Sequence, residues 1–435
     1  MQTERSNSLV EPPKDNTSDR LSIYDVIVIG ARCAGAPVAM LLARKGYKVL
    51  LVDRSTFPSE IAHGHFIHRQ GPKLLARWRL LDKIVESNCP PVLTQTTDYG
   101  DFPLIGRTLM MEGVAFGYAP RRSVLDNILI DAAIDAGAEL REGFCVEDFL
   151  SEDDRLMGVR GKSNRGGSVV TERALITIGA DGRRSHLARA VRAQVYQSTP
   201  TLTCWYFSYW SGVPNDGLEI YLRQRRVIFA FPTNHNMFSI FIGWPIEEFY
   251  RVRSDIAGNF MRVLELVPPL AERVRIGRRE ERFYGTGDVP NFFRKPYGPG
   301  WALVGDAGCH KDPFTALGIC DAFRDAELLA NAVDEGLSGK RLIEEAMSDY
   351  EKRQNEVSAI DYQRNIDFAR FKPLPPETYQ LRAALRGNQK DTNRFIMATE
   401  GIIPQEEFFN PENLSRIMED AGSAVLQTAG AVTAL

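Results

Sequence analysis

Three glycine-rich stretches, far apart in the 435-residue chain, have the residue types that bind a dinucleotide. The first stretch, residues 30–35, reads Gly-Ala-Arg-Cys-Ala-Gly and follows an apolar run at residues 24–29. Gly30 permits a tight turn out of a buried strand, and Gly35 permits the following helix to pack closely on the sheet. The N–H groups at the start of that helix would then face a pyrophosphate.

An acidic residue follows this first motif at the spacing expected for ribose binding. Residues 48–52 form a second apolar run, and Asp53 comes directly after it, 23 residues beyond Gly30. A carboxylate at about 20 residues typically binds ribose hydroxyls. The middle glycine of the usual G-x-G-x-x-G pattern is Arg32 here, and its guanidinium could itself contact the phosphate.

Two further turns of the same kind complete the set. The second motif, residues 179–182, reads Gly-Ala-Asp-Gly, and the third motif, residues 305–308, reads Gly-Asp-Ala-Gly; each follows an apolar run. Residues 313–318 then lead into a predicted helix, whose first N–H groups would stabilise negative charge on a ligand. No second strand-G-x-G-x-x-G-helix unit is visible, so we do not expect a separate nicotinamide-binding domain.

Composition limits the classes of function. A hydrophobic content of 44%, a charged content of 25% and a net charge of −3 are typical of a soluble globular protein and argue against nucleic acid as a partner. No apolar run is long enough for a transmembrane segment, and residues 1–22 read as a flexible polar tail. The six scattered cysteines contain no C-x-x-C pair, which favours a cytoplasmic location and disfavours a disulfide reductase. We predict no metal site, although His63, His65 and His68 lie close together in sequence.

Taken together, the motifs resemble those of FAD-dependent oxidoreductases of the p-hydroxybenzoate hydroxylase type. This family includes single-component flavoprotein monooxygenases and geranylgeranyl-reductase-like proteins. The resemblance spans about residues 23–335 and is also dense in residues 120–126, Pro-Arg-Arg-Ser-Val-Leu-Asp. It implies an α/β fold in which a Rossmann-like FAD-binding domain is interleaved with an antiparallel-sheet substrate domain and followed by C-terminal helices.

The resemblance also implies a division of the chain and a set of cofactor contacts. The predicted segments are a tail (1–22), the first part of the FAD-binding domain (23–195), the substrate domain (196–295), the second part of the FAD-binding domain with a helix (296–372) and a C-terminal helical segment (373–435). The last residues, 421–435, are expected to form a frayed or partner-contacting tail. The predicted FAD contacts are Gly30, Arg32, Cys33, Ala34, Gly35, Asp53, Arg54, Arg122, Val146, Asp181, Gly182, Gly305, Asp306, Pro313, Ala316, Leu317, Gly318 and Ile319.

Aromatic residues between about 200 and 300 alternate with other residues, which predicts antiparallel strands with one covered face. By resemblance this sheet covers the flavin, and its inner aromatic side chains line the substrate pocket. The candidate substrate contacts are Trp205, Tyr221, Phe229 and Trp244. His65 and Arg69 are the candidate catalytic residues, because they follow the second strand where the family approaches the flavin; a structural hydrogen-bonding role is an equal alternative.

The favoured interpretation is an NAD(P)H-dependent FAD monooxygenase. By resemblance, NADPH or NADH would reduce the flavin, and O₂ would yield a flavin C4a-hydroperoxide that transfers one oxygen to an aromatic or lipophilic unsaturated small molecule. One alternative is an FAD-dependent reductase that saturates prenyl-type double bonds. Another is a flavoprotein with a binding role only. A halogenase fits less well, because the Trp-x-Trp-x-Ile-Pro signature is absent.

Overall fold

The computed structural model describes residues 23–59, 61, 63–164 and 166–432, with the backbone alone for 423–432. The predicted tail at residues 1–22 lies outside the described residues. In chain order the strands are β1 (Ile23–Ile29), β2 (Val49–Val52), β3 (Ile67–His68), β4 (Pro91–Val92), β5 (Thr94–Asp98), β6 (Pro103–Arg107), β7 (Gly117–Tyr118), β8 (Glu139–Arg141), β9 (Phe144–Glu152), β10 (Arg155–Ser163), β11 (Val170–Gly179), β12 (Val195–Thr199), β13 (Thr203–Ser211), β14 (Leu218–Arg223), β15 (Arg226–Thr233), β16 (Met237–Pro245), β17 (Arg278–Arg279), β18 (Tyr284–Thr286), β19 (Asn291–Arg294), β20 (Tyr297–Gly298), β21 (Trp301–Leu303) and β22 (Cys309–His310).

Helices surround these strands and dominate the C-terminal third. They are α1 (Gly35–Arg44), α2 (Gln70–Arg77), α3 (Leu81–Glu86), α4 (Arg122–Asp135), α5 (His186–Ala190), α6 (Phe249–Ser254), α7 (Ile256–Leu264), α8 (Pro268–Ile276), α9 (Gly318–Leu337), α10 (Ile343–Ala369), α11 (Pro376–Leu385), α12 (Gln389–Thr399), α13 (Gln405–Phe408) and α14 (Pro411–Val432). Short 3₁₀ turns include Gly305–Ala307 and Pro313–Thr315.

The first sheet has the strand order β20-β21-β11-β1-β2-β8, and the antiparallel pair β9–β10 extends from β11. Strand β1 pairs in parallel with both β11 and β2, and β11 pairs in parallel with β21. The apolar run of β1 alternates between two cores, because Val26 and Val28 pack under the helices whereas Ile27 and Ile29 pack toward β9 and β10. The predicted Rossmann-like α/β architecture is therefore confirmed, with all three motifs at the carboxyl ends of parallel strands.

The second sheet has the order β17-β13-β16-β15-β14-β5-β6, with β18 also paired to β13. Most pairs are antiparallel, as the alternation predicted, but β14 and β5 run parallel. Strands β5 and β6 come from residues 94–107, so this sheet draws strands from outside the predicted segment 196–295. One face of the sheet packs against α7 and α8, and the other packs against residues that include Phe66, Phe116 and Ala316.

The C-terminal helices α11 to α14 pack over the edge of this second sheet. Leu104 of β6 lies in one core with Leu385, Phe395 and Phe408. Arg382 is only 1% exposed, and it donates hydrogen bonds to Asp101 Oδ1 at 2.8 Å and to Thr97 Oγ1 at 3.1 Å. Residues 421–432, predicted as part of a frayed tail, continue helix α14, and residues 433–435 lie outside the described residues.

Candidate functional site

The first motif folds into the tight turn that its glycines predicted. Gly30 has a φ of +103°, and a Cβ atom there would lie 2.4 Å from the carbonyl oxygen of Ala180. A Cβ at Gly35 would lie 1.7 Å from the carbonyl oxygen of Gly30. Only glycine fits at either position. The resulting turn connects the end of β1 to the start of α1. Helix α1 begins at this turn without a side-chain cap.

Asp53 at the end of β2 supports the same turn. Its carboxylate is buried, with Oδ2 accepting the N–H of Ala31 at 2.8 Å and Oδ1 accepting the N–H of Ser55 at 2.7 Å. Each carboxylate oxygen retains a further lone pair for a ribose hydroxyl. Arg54, the next predicted contact, is exposed beside it, and the more distant Val146 packs in the core between β2 and β9.

Two predicted arginines share one buried carboxylate that the motif analysis did not single out. Asp126 is fully buried and accepts from Arg32 Nη1 at 2.7 Å and from Arg122 Nη2 at 2.9 Å. The Cys33 thiol lies 3.4 Å from the same carboxylate, and burial raises the pKa of that thiol well above its usual range. Arg32 is therefore held in an ion pair, and Cys33 is an un-ionised packing residue.

In the second motif, Asp181 caps the short helix α5. Its Oδ2 accepts the N–H of His186 at 2.6 Å, whereas its buried Oδ1 has no hydrogen-bond partner among the described residues. Gly182 follows with a φ of +79°. The neighbouring Arg183 and Arg184 both pair with Asp288, so their positive charge is partly compensated.

The third motif is held directly against the first. A Cβ at Gly305 would lie 2.9 Å from Ala34 Cβ. The Asp306 side chain is 39% exposed, with His310 Nε2 at 4.0 Å. The predicted contacts that follow form a loop and the first turn of α9, which also begins without a side-chain cap. These residues are Pro313, Ala316, Leu317, Gly318 and Ile319.

The residues present fit FAD. Two uncapped helix N-termini, those of α1 and α9, open at neighbouring points of one sheet edge, where their N–H groups supply donors and partial positive charge. The glycine at each turn lets the backbone approach a ligand closely, and a Cβ at Gly318 would meet no heavy atom within 4 Å. The α1 end suits a pyrophosphate, and the α9 end suits the electron-rich edge of a flavin ring.

The four candidate substrate contacts lie on two opposite faces of the second sheet. Trp205 and Phe229 stack at 6.0 Å and contact Phe314 of the loop before α9. Tyr221 and Trp244 instead pack on the face under α7 and α8. Tyr221 donates its hydroxyl to Glu219 there. The structure therefore brings Trp205 and Phe229 to the site and places Tyr221 and Trp244 in the helix-covered core.

Four other aromatic residues pack together on the face of the second sheet away from α7 and α8, and we call them the aromatic face. Phe207 stacks on Phe241 with ring centroids 4.2 Å apart, and Phe231 stacks on Phe241 at 5.4 Å. Tyr209 lies edge-on to Phe207 at 5.8 Å. Ala316 packs against this cluster. Their alternation in sequence was visible, but period two alone does not say which face meets the cofactor.

His65 lies buried within the aromatic face and is fixed by three hydrogen bonds. Its Nδ1 is 3.1 Å from the Ala119 carbonyl oxygen, so Nδ1 carries the proton and Nε2 accepts from the hydroxyls of Tyr209 and Ser239 at 3.1 and 3.3 Å. Burial and the charge of Arg121 lower the pKa of His65 to about 3. His65 is therefore neutral and orients the two hydroxyls.

Arg69 lies at the N-terminus of α2, apart from His65. Its Nη1 donates to Asp361 of α10 at 3.4 Å. The preceding residue, His68, forms a buried pair with Glu400 in which Nδ1 and Oε2 are 2.7 Å apart. The sequence interpretation missed Glu400, because a pairing across 332 residues leaves no local pattern.

A buried carboxyl group links the loop before α9 to the second sheet. Asp312 is 2% exposed and accepts hydrogen bonds from the Thr203 hydroxyl at 2.5 Å and from Trp205 Nε1 at 3.3 Å. Burial raises the pKa of Asp312 to about 7. The loop before α9 is thus tied to β13 by a carboxyl group that titrates near neutral pH.

Comparisons with known proteins agree with this geometry. Residues 23–252, more than half of the chain, match the FAD binding domain family. Digeranylgeranylglycerophospholipid reductase from Methanosarcina acetivorans is 26% identical over 359 residues, which cover 79% of this chain and 83% of that protein.

Solved structures share the whole fold. The flavin-dependent brominase Bmp2 superposes with a TM-score of 0.75 at 18% identity, covering 93% of this chain and 100% of that one. PqsL from Pseudomonas aeruginosa, described as a probable FAD-dependent monooxygenase, superposes with a TM-score of 0.66 at 18% identity, covering 87% and 100%. Within the described residues, none of the helices has the length and apolar character needed to span a bilayer.

Proposed function

Since this chain belongs to the FAD binding domain family and is an FAD-dependent oxidoreductase, we propose that it is an NAD(P)H-dependent monooxygenase. The substrate is an aromatic or lipophilic unsaturated small molecule. The overall reaction consumes substrate, O₂, NAD(P)H and one proton, and yields oxygenated substrate, water and NAD(P)⁺. Bound FAD supplies the redox chemistry, and the protein supplies binding, orientation and a dry site.

The observation that carries this proposal is the aromatic face opposite the start of α9. Phe207, Phe231 and Phe241 are each at most 8% exposed and stack in a nearly continuous surface. Ala316, which packs against this surface, lies two residues before the first residue of α9. A planar or unsaturated ligand on the aromatic face would therefore lie beside the position that suits the flavin edge.

The chain's own residues prepare this position in three ways. The α9 N-terminus stabilises negative charge that develops on the cofactor side. The aromatic face excludes water from the substrate side. His65, which is neutral, holds Tyr209 and Ser239 so that the polar atoms within the aromatic face are internally paired.

Product analysis tests the proposal. Purified holoenzyme is supplied with NADPH or NADH and ¹⁸O₂, and a panel of planar aromatic and polyene compounds is screened for product by mass spectrometry. We expect one ¹⁸O atom per product molecule and faster NAD(P)H oxidation with substrate present. The matched variant Phe241→Leu keeps an apolar residue but removes the central ring of the aromatic face. Its product yield should fall, whereas its FAD content should stay that of the wild type. Products without ¹⁸O would contradict oxygen insertion.

A second candidate is a reductase of prenyl-type double bonds, which the similarity to the Methanosarcina protein favours. It predicts turnover without O₂ and a mass gain of two hydrogens for each saturated bond. The same holoenzyme, incubated anaerobically with NADPH and a geranylgeranyl compound, distinguishes the two reactions. A protein that binds FAD but turns over neither class of compound would favour a binding role.

A further inference from the structure

A buried polar cluster lies where the C-terminal helices meet the substrate side of the molecule. We call it the Glu400 cluster; its members are Glu400, His68, Arg69 and Gln95. Gln95 is 3% exposed, and His68 and Glu400 are each 7% exposed. These residues come from β5, from β3 and the start of α2, and from the end of α12, so the cluster forms only when the C-terminal segment is in place.

Glu400 sets the direction of the hydrogen bonds in this cluster. Burial alone would raise its pKa, but the charges and hydrogen bonds of His68, Arg69 and Gln95 lower the pKa of Glu400 below its usual range. An ionised carboxylate only accepts, so Nδ1 of His68 carries the proton in the 2.7 Å hydrogen bond. The side-chain N–H of Gln95 likewise donates to Glu400. The side-chain oxygen of Gln95, Oε1, is therefore not used in this hydrogen bond.

Three buried polar atoms of the cluster remain without a hydrogen-bond partner on any residue the structure describes. They are His68 Nε2, Arg69 Nε and Gln95 Oε1. An unpaired buried polar atom is destabilising, and native proteins rarely leave several in one place. The three atoms comprise a donor on Arg69, an acceptor on Gln95 and an imidazole nitrogen on His68.

The cluster borders the candidate substrate site. The ring of His68 is 5.3 Å from the ring of Phe66, and Phe66 is 5.1 Å from Phe231 of the aromatic face. On the other side, the Cys320 thiol in the first turn of α9 donates to the carbonyl oxygen of His68 at 3.1 Å. His68 therefore lies between the aromatic face and the first turn of α9.

We propose that the Glu400 cluster anchors a hydroxyl group of the substrate. A hydroxyl both donates and accepts, so it can donate to Gln95 Oε1 and accept from Arg69 Nε–H or from Nε2–H of His68, whose charge opposes that of Glu400. Glu400 pairs with His68, and Arg69 pairs with Asp361, so the local charges are already compensated. An uncharged hydroxyl fits this balance better than a carboxylate, whose charge would lie beside that of Glu400 while Arg69 is already paired with Asp361.

This inference rests on the proposed function in placing a substrate on the aromatic face. It narrows the substrate to a planar or lipophilic molecule with a hydroxyl group at one end. It also gives the C-terminal helices a role, because Glu400 positions His68 from that segment.

Matched probe pairs test the anchor without turnover. Equilibrium dialysis of the holoenzyme measures the affinity for phenol against toluene and for 2-naphthol against 2-methylnaphthalene, where hydroxyl replaces methyl at nearly constant shape. We expect the hydroxyl member of at least one pair to bind at least about tenfold more tightly. Gln95→Met and His68→Phe should each reduce that preference several-fold, with little change in affinity for the methyl member.

The control is Gln354→Met, which makes the same change at a buried glutamine between α9 and α10. It should leave the hydroxyl preference unchanged. Glu400→Gln tests positioning: it should reduce the preference while leaving the affinity for the methyl probe intact. Equal affinities within both pairs, or no binding up to the solubility limit, would overturn the anchor and indicate that enclosed water satisfies the three atoms. Because dialysis does not depend on catalysis, a failure of oxygen insertion would be seen separately.

Discussion

The cofactor side and the substrate side of this molecule are built in different ways. The cofactor side consists mainly of backbone: glycine turns, uncapped helix ends and close contacts that leave no room for a Cβ. The substrate side consists of side chains contributed by distant segments, such as the His68–Glu400 pair. A backbone site tolerates few substitutions at its turns, whereas a side-chain site changes its specificity one residue at a time. The two sides should therefore respond differently to mutation.

The largest effect is expected at the turn of the first motif. Gly35→Ala would force a Cβ to within 1.7 Å of the Gly30 carbonyl oxygen, so the backbone must move. We expect a loss of about 3–4 kcal/mol in the free energy of unfolding together with loss of FAD, measured by urea denaturation and by the visible-to-ultraviolet absorbance ratio. Gly422→Ala in α14, where a Cβ meets nothing within 4 Å, is the control and should not destabilise. Full FAD retention by Gly35→Ala would contradict the backbone origin of this site.

Replacing a similarly buried residue on the substrate side should leave FAD bound. Arg382→Met removes the donor to Asp101 and to the backbone carbonyl oxygens of Thr97 and Phe102, and we expect a loss of about 3 kcal/mol in unfolding free energy. The FAD absorbance ratio should stay that of the wild type. Arg416→Met, which removes a half-exposed arginine from its pair with Asp391, should cost no more than about 1 kcal/mol. If Arg382→Met also released FAD, the two sides would be more tightly coupled than their construction indicates.

Asp312 joins the two sides and makes their connection depend on pH. Its folded-state pKa of about 7 lies above the ordinary value of 3.8, so between these values the folded protein holds a proton that the unfolded chain has lost. This group therefore lowers stability as pH rises through that window, by up to about 1.4 kcal/mol per pH unit, and adds no further slope above it. Asp312→Asn should remove this contribution. The measurement is the difference in unfolding free energy between the wild type and Asp312→Asn, which should change between pH 4 and pH 7. If the unfolding free energies of the two proteins changed with pH in parallel, Asp312 would be ionised in the folded state.

The smallest effect is expected at Arg32. Since Asp126 already holds its guanidinium, Arg32→Met should weaken FAD binding by less than about tenfold, as measured by quenching of flavin fluorescence. Asp306→Ala should weaken FAD binding much more, because the carboxylate of Asp306 in the third motif is 39% exposed and is therefore accessible to a ligand. Complete loss of FAD in Arg32→Met would instead identify the arginine as a main phosphate ligand.

The same contrast explains what the sequence could predict. The three motifs, the buried strands before them and the helix after Gly318 follow from local patterns, and the structure confirms that architecture. The alternation around Trp205 and Trp244 predicted strands, but it did not distinguish the face under α7 and α8 from the face toward the flavin motifs. Strands β5 and β6 were missed because they join the substrate sheet from another part of the chain.

The C-terminal segment shows the physical limit of such prediction. Glu400 lies at the end of an amphipathic helix with no motif around it, and its meaning depends on His68, 332 residues away. A pairing of that kind becomes visible only when the chain is folded. The role of residues 373–435 could therefore not be predicted from spacing or composition.

The strand order of the first sheet has a consequence for biosynthesis. Strand β1 emerges early, its neighbour β11 follows about 140 residues later, and β21 and the start of α9 come only near residue 300. At about 5–20 residues per second, roughly 15–60 s separate the synthesis of the first motif from that of the α9 end. During that interval the nascent chain contains the first motif but lacks the third motif and the start of α9. Its flavin site is therefore incomplete. FAD capture must therefore follow the synthesis of the third motif and the start of α9, and it cannot depend on the first motif alone.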